Sequence, residues 1–215
     1  MIAIIDYGAG NLRSVTNTFQ HLGADIRIAA DPAGLSGADK VVLPGVGAFG
    51  AGMDALRKAG FIQPLVEATN SGTPLLGICL GLQFLFEWSD EMGRHEGLGL
   101  LPGHVTRFPF GEPGQPGNQP TAEKLKVPHM GWNKLIIGQP DHPLVRGIPP
   151  TADAYAYFVH SYYVVPDDSS HIVATTDYGF KFASICARGN VMGIQPHPEK
   201  SQAVGLRILK NFIDL

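Results

Sequence analysis

Cys79 lies in Gly77-Ile78-Cys79-Leu80-Gly81, where small residues flank it at the junction of two apolar runs. Residues 73–78 read as a short buried strand and 80–88 as an amphipathic helix. A thiol at such a junction is the sulfur version of the G-x-S-x-G elbow, whose tight turn leaves the nucleophile exposed. Facing a helix N-terminus, the sulfur meets free N–H groups and a dipole, and both favour thiolate. Near the other end of the chain stands Gln195-Pro196-His197-Pro198-Glu199. The two prolines hold His197 on a rigid, non-helical backbone. Glu199, two residues on, projects to the same side in an extended segment and can bond one imidazole nitrogen while the other meets a thiol. That is the nucleophile, base and orienter of a triad. Singly, each residue has a plainer reading: a core cysteine, a turn histidine, an acid at the start of the helix that follows. Together they make a triad the better explanation.

The elements that must bring these groups together alternate in the first half of the chain. Residues 2–5 form a continuous apolar run, as a strand covered on both faces requires. Leu12, Val15, Phe19 and Leu22 mark one helical face, stopped by Gly23. Strands are expected at 26–29 and 41–43, helices at 52–58 and 61–70. This rhythm implies right-handed crossovers and a mostly parallel sheet. From Val105 onward short β-rich runs dominate, at 134–137, 154–160, 172–176, 182–187 and 191–195. They read as antiparallel additions to the same sheet, with a final helix at 201–213 packed back on it. The expected fold is α/β, a single domain over 1–215 with a central, mostly parallel sheet, antiparallel additions and helices on both faces. Residues 109–120, rich in glycine and proline, read as a loop.

Composition bounds the chemistry. The 215 residues suffice for a sizeable core, and 16% charged against 44% apolar residues is a globular balance. A net charge of −3 without a Lys/Arg cluster offers no footprint for nucleic acid. Two cysteines, Cys79 and Cys186, make no disulfide framework, so a reducing compartment is expected. Cys186 sits in an apolar run and reads as an inert strand residue. The first residues lack the basic start and long apolar core of a signal peptide, and no apolar stretch approaches bilayer length. The expected location is the cytoplasm. The eight histidines are scattered without metal-ligand spacing, and no P-loop or dinucleotide fingerprint occurs, so neither metal nor cofactor is expected.

Gly77-Ile78-Cys79-Leu80-Gly81-Leu82-Gln83 paired with His197-Pro198-Glu199 resembles the class I (triad) glutamine amidotransferases. Four further stretches narrow the resemblance: Asp6-Tyr7-Gly8-Ala9-Gly10-Asn11, Pro44-Gly45-Val46-Gly47-Ala48-Phe49-Gly50, Pro128-His129-Met130-Gly131-Trp132-Asn133 and Tyr157-Phe158-Val159-His160-Ser161-Tyr162. Collectively they are similar to the glutaminase subunits of imidazole glycerol phosphate synthases, enzymes of histidine biosynthesis, essentially from end to end. Pro44-Gly45-Val46-Gly47 discriminates best, since most relatives have Pro-Gly-Gly there.

The resemblance implies a flavodoxin-like fold and a division of labour. Cys79 attacks the side-chain amide of glutamine and forms a thioester, His197 moves the protons, and Glu199 orients the imidazole. A peptidase would use a similar triad; the resemblance favours amide transfer. The oxyanion is expected to meet the N–H of Leu80 and a second donor from the Val46-Gly47 loop. Because Val46 is β-branched, that loop is expected to rest with its donor turned away and to flip when a ligand or partner binds. Substrate contacts are expected from Gly47, Gly50 or Gly52, Gln83, Glu91, Ser161 and Tyr162. The implied partner is a (β/α)8-barrel cyclase that receives the ammonia, with Asn11, Trp132, Tyr157 and Lys200 at the interface. Asn11 is also placed to cap the helix starting at Leu12, and Trp132 and Tyr157 fit a core as well as an interface. Two other readings stand beside this one: another amidotransferase subunit of the same fold, and a regulatory binding module without catalysis.

Overall fold

The computed structural model describes residues 1–8, 10–110, 125–149 and 153–215. The Gly/Pro-rich segment from residue 111 to 120 and Ala9 lie outside the described residues. The first half runs β1 (Ile2–Ile5), α1 (Leu12–His21), β2 (Ile26–Ala29), β3 (Lys40–Gly45), α2 (Phe49–Lys58), α3 (Ile62–Asn70), β4 (Leu75–Cys79) and α4 (Leu80–Phe84). Short strands follow: β5 (Trp88–Ser89), β6 (His95–Glu96), β7 (Gly103–Arg107), β8 (His129–Lys134) and β9 (Ile136–Ile137). The last part contains β10 (Tyr155–His160), β11 (Tyr162–Pro166), β12 (Ile172–Asp177), β13 (Lys181–Arg188), β14 (Val191–Ile194) and α5 (Gln202–Ile213).

Among the described residues twelve strands join one sheet, whose main path is β2-β1-β3-β4-β14-β13-β11-β7-β5-β6, with β12 and β9 branching from β13. The strands from β2 to β14 are mutually parallel, and antiparallel pairing begins at β13. The pleat explains the unbroken apolar runs. Ile2 and Ile4 point into one core and Ala3 and Ile5 into the other, so every residue of β1 is covered. One core takes Val15 and Phe19 of α1 with Ile208, Leu209 and Phe212 of α5. The opposite core takes Phe49, Met53 and Leu56 of α2, Leu65 of α3 and Phe84 of α4.

Three expectations are corrected. The helix expected over 80–88 stops at Phe84. Residues 80–86 are all buried, and backbone N–H groups of Leu98, Leu100 and Gly99, rather than the next helical turn, take the carbonyls of Phe84, Leu85 and Phe86 at 2.8, 2.8 and 3.1 Å. Trp88 and Ser89 pair instead in parallel with His104 and Val105. Second, residues 191–194 are no antiparallel outlier. β14 lies parallel to β4, Gly193 opposite Gly77, and is antiparallel only to β13. Third, β10 does not join the large sheet but pairs with β8, Tyr157 opposite Trp132, in a separate two-stranded sheet. The run expected at 134–137 is accordingly split between the end of β8 and β9.

Candidate active site

The parallel neighbourhood of β4 and β14 makes their carboxyl ends emerge at the same edge, where ligands of open α/β sheets bind. Cys79 ends β4 and is the residue before α4, with φ 55° and ψ −110°. Such a conformation costs a non-glycine residue roughly 1–3 kcal/mol and persists only when its surroundings hold it. Gly81 permits the turn, because a Cβ there would lie 1.9 Å from the Leu43 carbonyl oxygen. α4 has five residues, too short for much of a macrodipole, so the helix-terminus argument for a thiolate weakens.

The group beside the sulfur is an imidazole. His197 follows β14, and its backbone N–H donates to the Tyr157 carbonyl at 2.8 Å, fastening it to β10. Its Nδ1 bonds Glu199 Oε1 at 2.8 Å, leaving the other ring nitrogen for Cys79. Burial alone would depress the imidazole, but hydrogen bonds to Cys79 and Glu199, and the negative charge of both, raise its pKa to about 10. Burial likewise opposes charge on Glu199, yet the bonds from His197 and from Asn11 Nδ2 (3.1 Å) hold its carboxyl below the ordinary value. The His197 ring is thus buried between the Cys79 sulfur and the Glu199 carboxylate, hydrogen-bonded to both.

A cavity of about 320 Å³ opens on the sulfur. Cys79, His197 and Leu80 form its reactive wall, and Val46 and Gly47 its rim; Gly47 has φ +101° and Val46 is exposed. Gln83, Glu91, Ser161 and Tyr162 also line it. Glu91 Oε2 accepts from the Phe49 N–H at 2.6 Å, which ties the acid to the start of α2. Gly50 and Gly52 do not line the cavity. They let α2 pack closely, since a Cβ would lie 2.7 Å from the His95 ring in the first case and 2.3 Å from Phe84 in the second. Of the four residues expected at a partner interface, Trp132 is 48% exposed and meets Tyr157 edge-on at 6.1 Å, with Lys200 Nζ 5.7 Å over the Tyr157 ring. Asn11 makes no side-chain cap to α1; its amide is spent on Glu199.

Four polar residues of this network, Gln195, His160, His129 and Asn133, have no role in the sequence reading, though each stands in a quoted motif. The Tyr162 carbonyl can only accept, so Gln83 must present its NH2 there (3.1 Å), and the same NH2 donates to Gln195 Oε1 at 3.1 Å. Gln195 Nε2 then faces the sulfur at 3.7 Å. Its signal was position: two residues before His197, on the same side of an extended segment. On the other side, His160 Nδ1 donates to the Tyr162 carbonyl at 2.8 Å, its Nε2 accepts from His129 Nδ1 at 3.0 Å, and His129 Nε2 accepts from Asn133 at 3.1 Å. Nothing in their spacing marks this pair, because it forms across β8 and β10.

The pair has a pH signature. Burial pushes His129 down to about 4, and burial, opposed by the Tyr162 bond, pushes His160 down to about 3. An unfolded histidine titrates near 6.5, so below that pH the unfolded chain binds protons the native state refuses. Stability should therefore fall as pH drops from about 6.5 towards 4. Denaturant midpoints across this range should show it, and the slope should be shallower by about 1.4 kcal/mol per pH unit, one proton's worth, in His160→Gln. An unchanged slope would contradict neutral histidines.

The glutamine amidotransferase class-I family model matches residues 3–215. The chain is 54% identical over 215 residues to imidazole glycerol phosphate synthase subunit HisH of Syntrophotalea carbinolica, covering 100% of both chains. It is 49% identical over 215 residues to the subunit of that name from Geobacter sulfurreducens, covering 98% of this chain and 97% of the other. A solved glutamine amidotransferase superposes with a TM-score of 0.73 at 16% identity, covering 100% of each chain. The structure of PurLQS from Thermotoga maritima superposes with a TM-score of 0.75 at 18% identity, covering 99% of this chain and 97% of that one; both likenesses speak to the fold. The chain belongs to the class I glutamine amidotransferases, and within them to the HisH subunits of imidazole glycerol phosphate synthase.

Proposed function

We propose that this chain hydrolyses glutamine at Cys79 and passes the ammonia to a barrel-type cyclase in histidine biosynthesis. The observation that carries this is Cys79, strained at φ 55° in a cavity wall, against an imidazole that Glu199 holds at 2.8 Å. The thiolate attacks the side-chain amide carbon and the carbonyl π electrons move onto oxygen, where the Leu80 N–H and a donor of the Val46-Gly47 loop receive the charge. As the oxyanion collapses, the C–N bond breaks and His197 gives its proton to the leaving nitrogen, which departs as ammonia. The neutral imidazole then takes a proton from water, hydroxide adds to the thioester carbon, and the C–S bond breaks. The new carboxylic acid gives its proton to solvent, glutamate leaves, and the thiolate–imidazolium pair is restored. With both donors of Gln83 spent on Tyr162 and Gln195, its Oε1 and the free oxygen of Glu91 remain as acceptors for the substrate's α-ammonium.

Ammonia released into water is protonated and lost as a nucleophile, so a closed route to a second site favours the coupled enzyme. The outward face of β8 and β10 suits that partner, since Met130, Trp132 and Tyr155 are exposed there at 62%, 48% and 45%. Aromatic side chains in such a face dominate interface energetics. Both cysteines are free thiols, which fits a cytoplasmic setting. Incubation with glutamine, with and without the cyclase subunit and its ligand, tests the reading. Stoichiometric glutamate, stimulated by the liganded partner, is expected; none under either condition would leave a binding module.

A further inference from the structure

Gln195 is completely buried, its backbone N–H donates to the Ser184 carbonyl at 2.8 Å, and its Nε2 lies 3.7 Å from the Cys79 sulfur. The orientation of an amide beside a sulfur is decided by what its oxygen must accept. Here the decision comes from outside. The Tyr162 carbonyl has both lone pairs engaged, by His160 Nδ1 at 2.8 Å and Gln83 Nε2 at 3.1 Å. A carbonyl never donates, so the Gln83 amide cannot be reversed without losing that bond. The Gln83 NH2, so directed, donates to Gln195 Oε1 at 3.1 Å and leaves the Gln195 NH2 for the sulfur. The chain is anchored further back by His129 and by Asn133, whose Nδ2 also donates to the Asp177 carbonyl at 2.9 Å.

We propose that Gln195 is a further catalytic residue, donating a hydrogen bond to the Cys79 thiolate, with Gln83 and His160 as the positioning residues that fix its amide. The assignment rests on Cys79 being the glutaminase nucleophile. A donor at this place stabilises sulfur whenever it carries charge: before attack, and again when the thioester C–S bond breaks and sulfur leaves as thiolate. In the thioester itself sulfur is neutral and a weak acceptor, so the bond favours both charged states over the intermediate. The titratable groups that face the sulfur are His197 after β14 and Tyr7 after β1, with Glu91 and His160 in the cavity wall. Gln195 adds a donor to this set without adding a charge.

The test is the pH profile of Cys79 alkylation by iodoacetamide in the full-length chain without glutamine, followed by mass spectrometry of the Cys79 peptide. Cys186 is fully buried with its thiol pushed up to about 12, and the peptide readout separates it. Gln195→Met keeps the volume and removes the donor. The midpoint of its profile should move to higher pH by about one unit, a tenfold change in the protonation equilibrium and the scale of one hydrogen bond to a charged group. Gln83→Met should move the profile in the same direction, and the double variant no further than Gln195→Met alone, because Gln83 acts here through Gln195. Should Gln195→Met fail to fold, Gln195→Glu, which still accepts from Gln83, should move the profile further by placing a carboxylate against the sulfur. Superimposable profiles for wild type and the Gln195 variant, with wild-type glutaminase activity present, would overturn the role of Gln195 alone. Absence of wild-type glutaminase activity with the cyclase partner would instead overturn the reading on which it rests.

Discussion

Cys79→Ala should abolish glutamine-dependent synthesis by the complex and leave synthesis from ammonium salts intact. The sulfur is the group that forms the covalent bond to glutamine, so its removal should lower glutaminase kcat by about 10⁶-fold, as loss of the nucleophile does in comparable triads. The fold should survive, because Cys79 ends β4 at the edge of the core and alanine relieves nothing that packs there beyond a small side chain. Two assays on one preparation read the result: cyclase product formed with glutamine, and with ammonium chloride. If both rates fell together, the separation of glutamine hydrolysis from synthesis would be wrong.

Glu199→Gln should lower kcat by about 10³–10⁴-fold while moving KM for glutamine little. Glu199 does not line the cavity; it stands behind His197, one oxygen shared between the imidazole at 2.8 Å and Asn11 at 3.1 Å. A glutamine there keeps the size but removes the charge that stabilises imidazolium, and its NH2 competes to donate where the ring must donate. The His197 pKa should fall in this variant, since one of the two charges that raise it is gone. Asn11→Ala, which removes a supporting donor and leaves the carboxylate, should follow in the same direction by a much smaller factor. Steady-state kinetics with saturating partner separates the two constants; a loss confined to KM would place Glu199 in substrate binding instead.

The triad was legible because it is written in residue types at rigid positions: a cysteine between glycines, a histidine between prolines, a carboxylate two residues on. The placement of β14 was not. Whether a strand joins its neighbour parallel or antiparallel is settled by the chain path between them, and β14 reads locally like the antiparallel strands before it. Its parallel seat beside β4 is nevertheless what brings Cys79 and His197 together. The helix expected over 80–88 overruns α4 for the same kind of reason, since the backbone donors that take the carbonyls of residues 84–87 come from residues 97–101 and leave no mark in residues 80–88. Asn11 shows a third limit: its spacing before Leu12 is that of a helix cap, but Glu199, 188 residues away, takes its amide. Local pattern named the reacting groups; long-range pairing decided what holds them.

Rapid quenching of the glutamine-turning-over complex in acid, with isotopically labelled glutamine and proteolytic mapping, addresses the covalent step itself. A labelled glutamyl group should appear on the peptide carrying Cys79, in thioester linkage released by mild base, and should be absent from Cys79→Ala. Glutamate formed at the full rate with no label on that peptide under any quench time, or with label on another residue, would contradict a thiolate at Cys79 as the nucleophile.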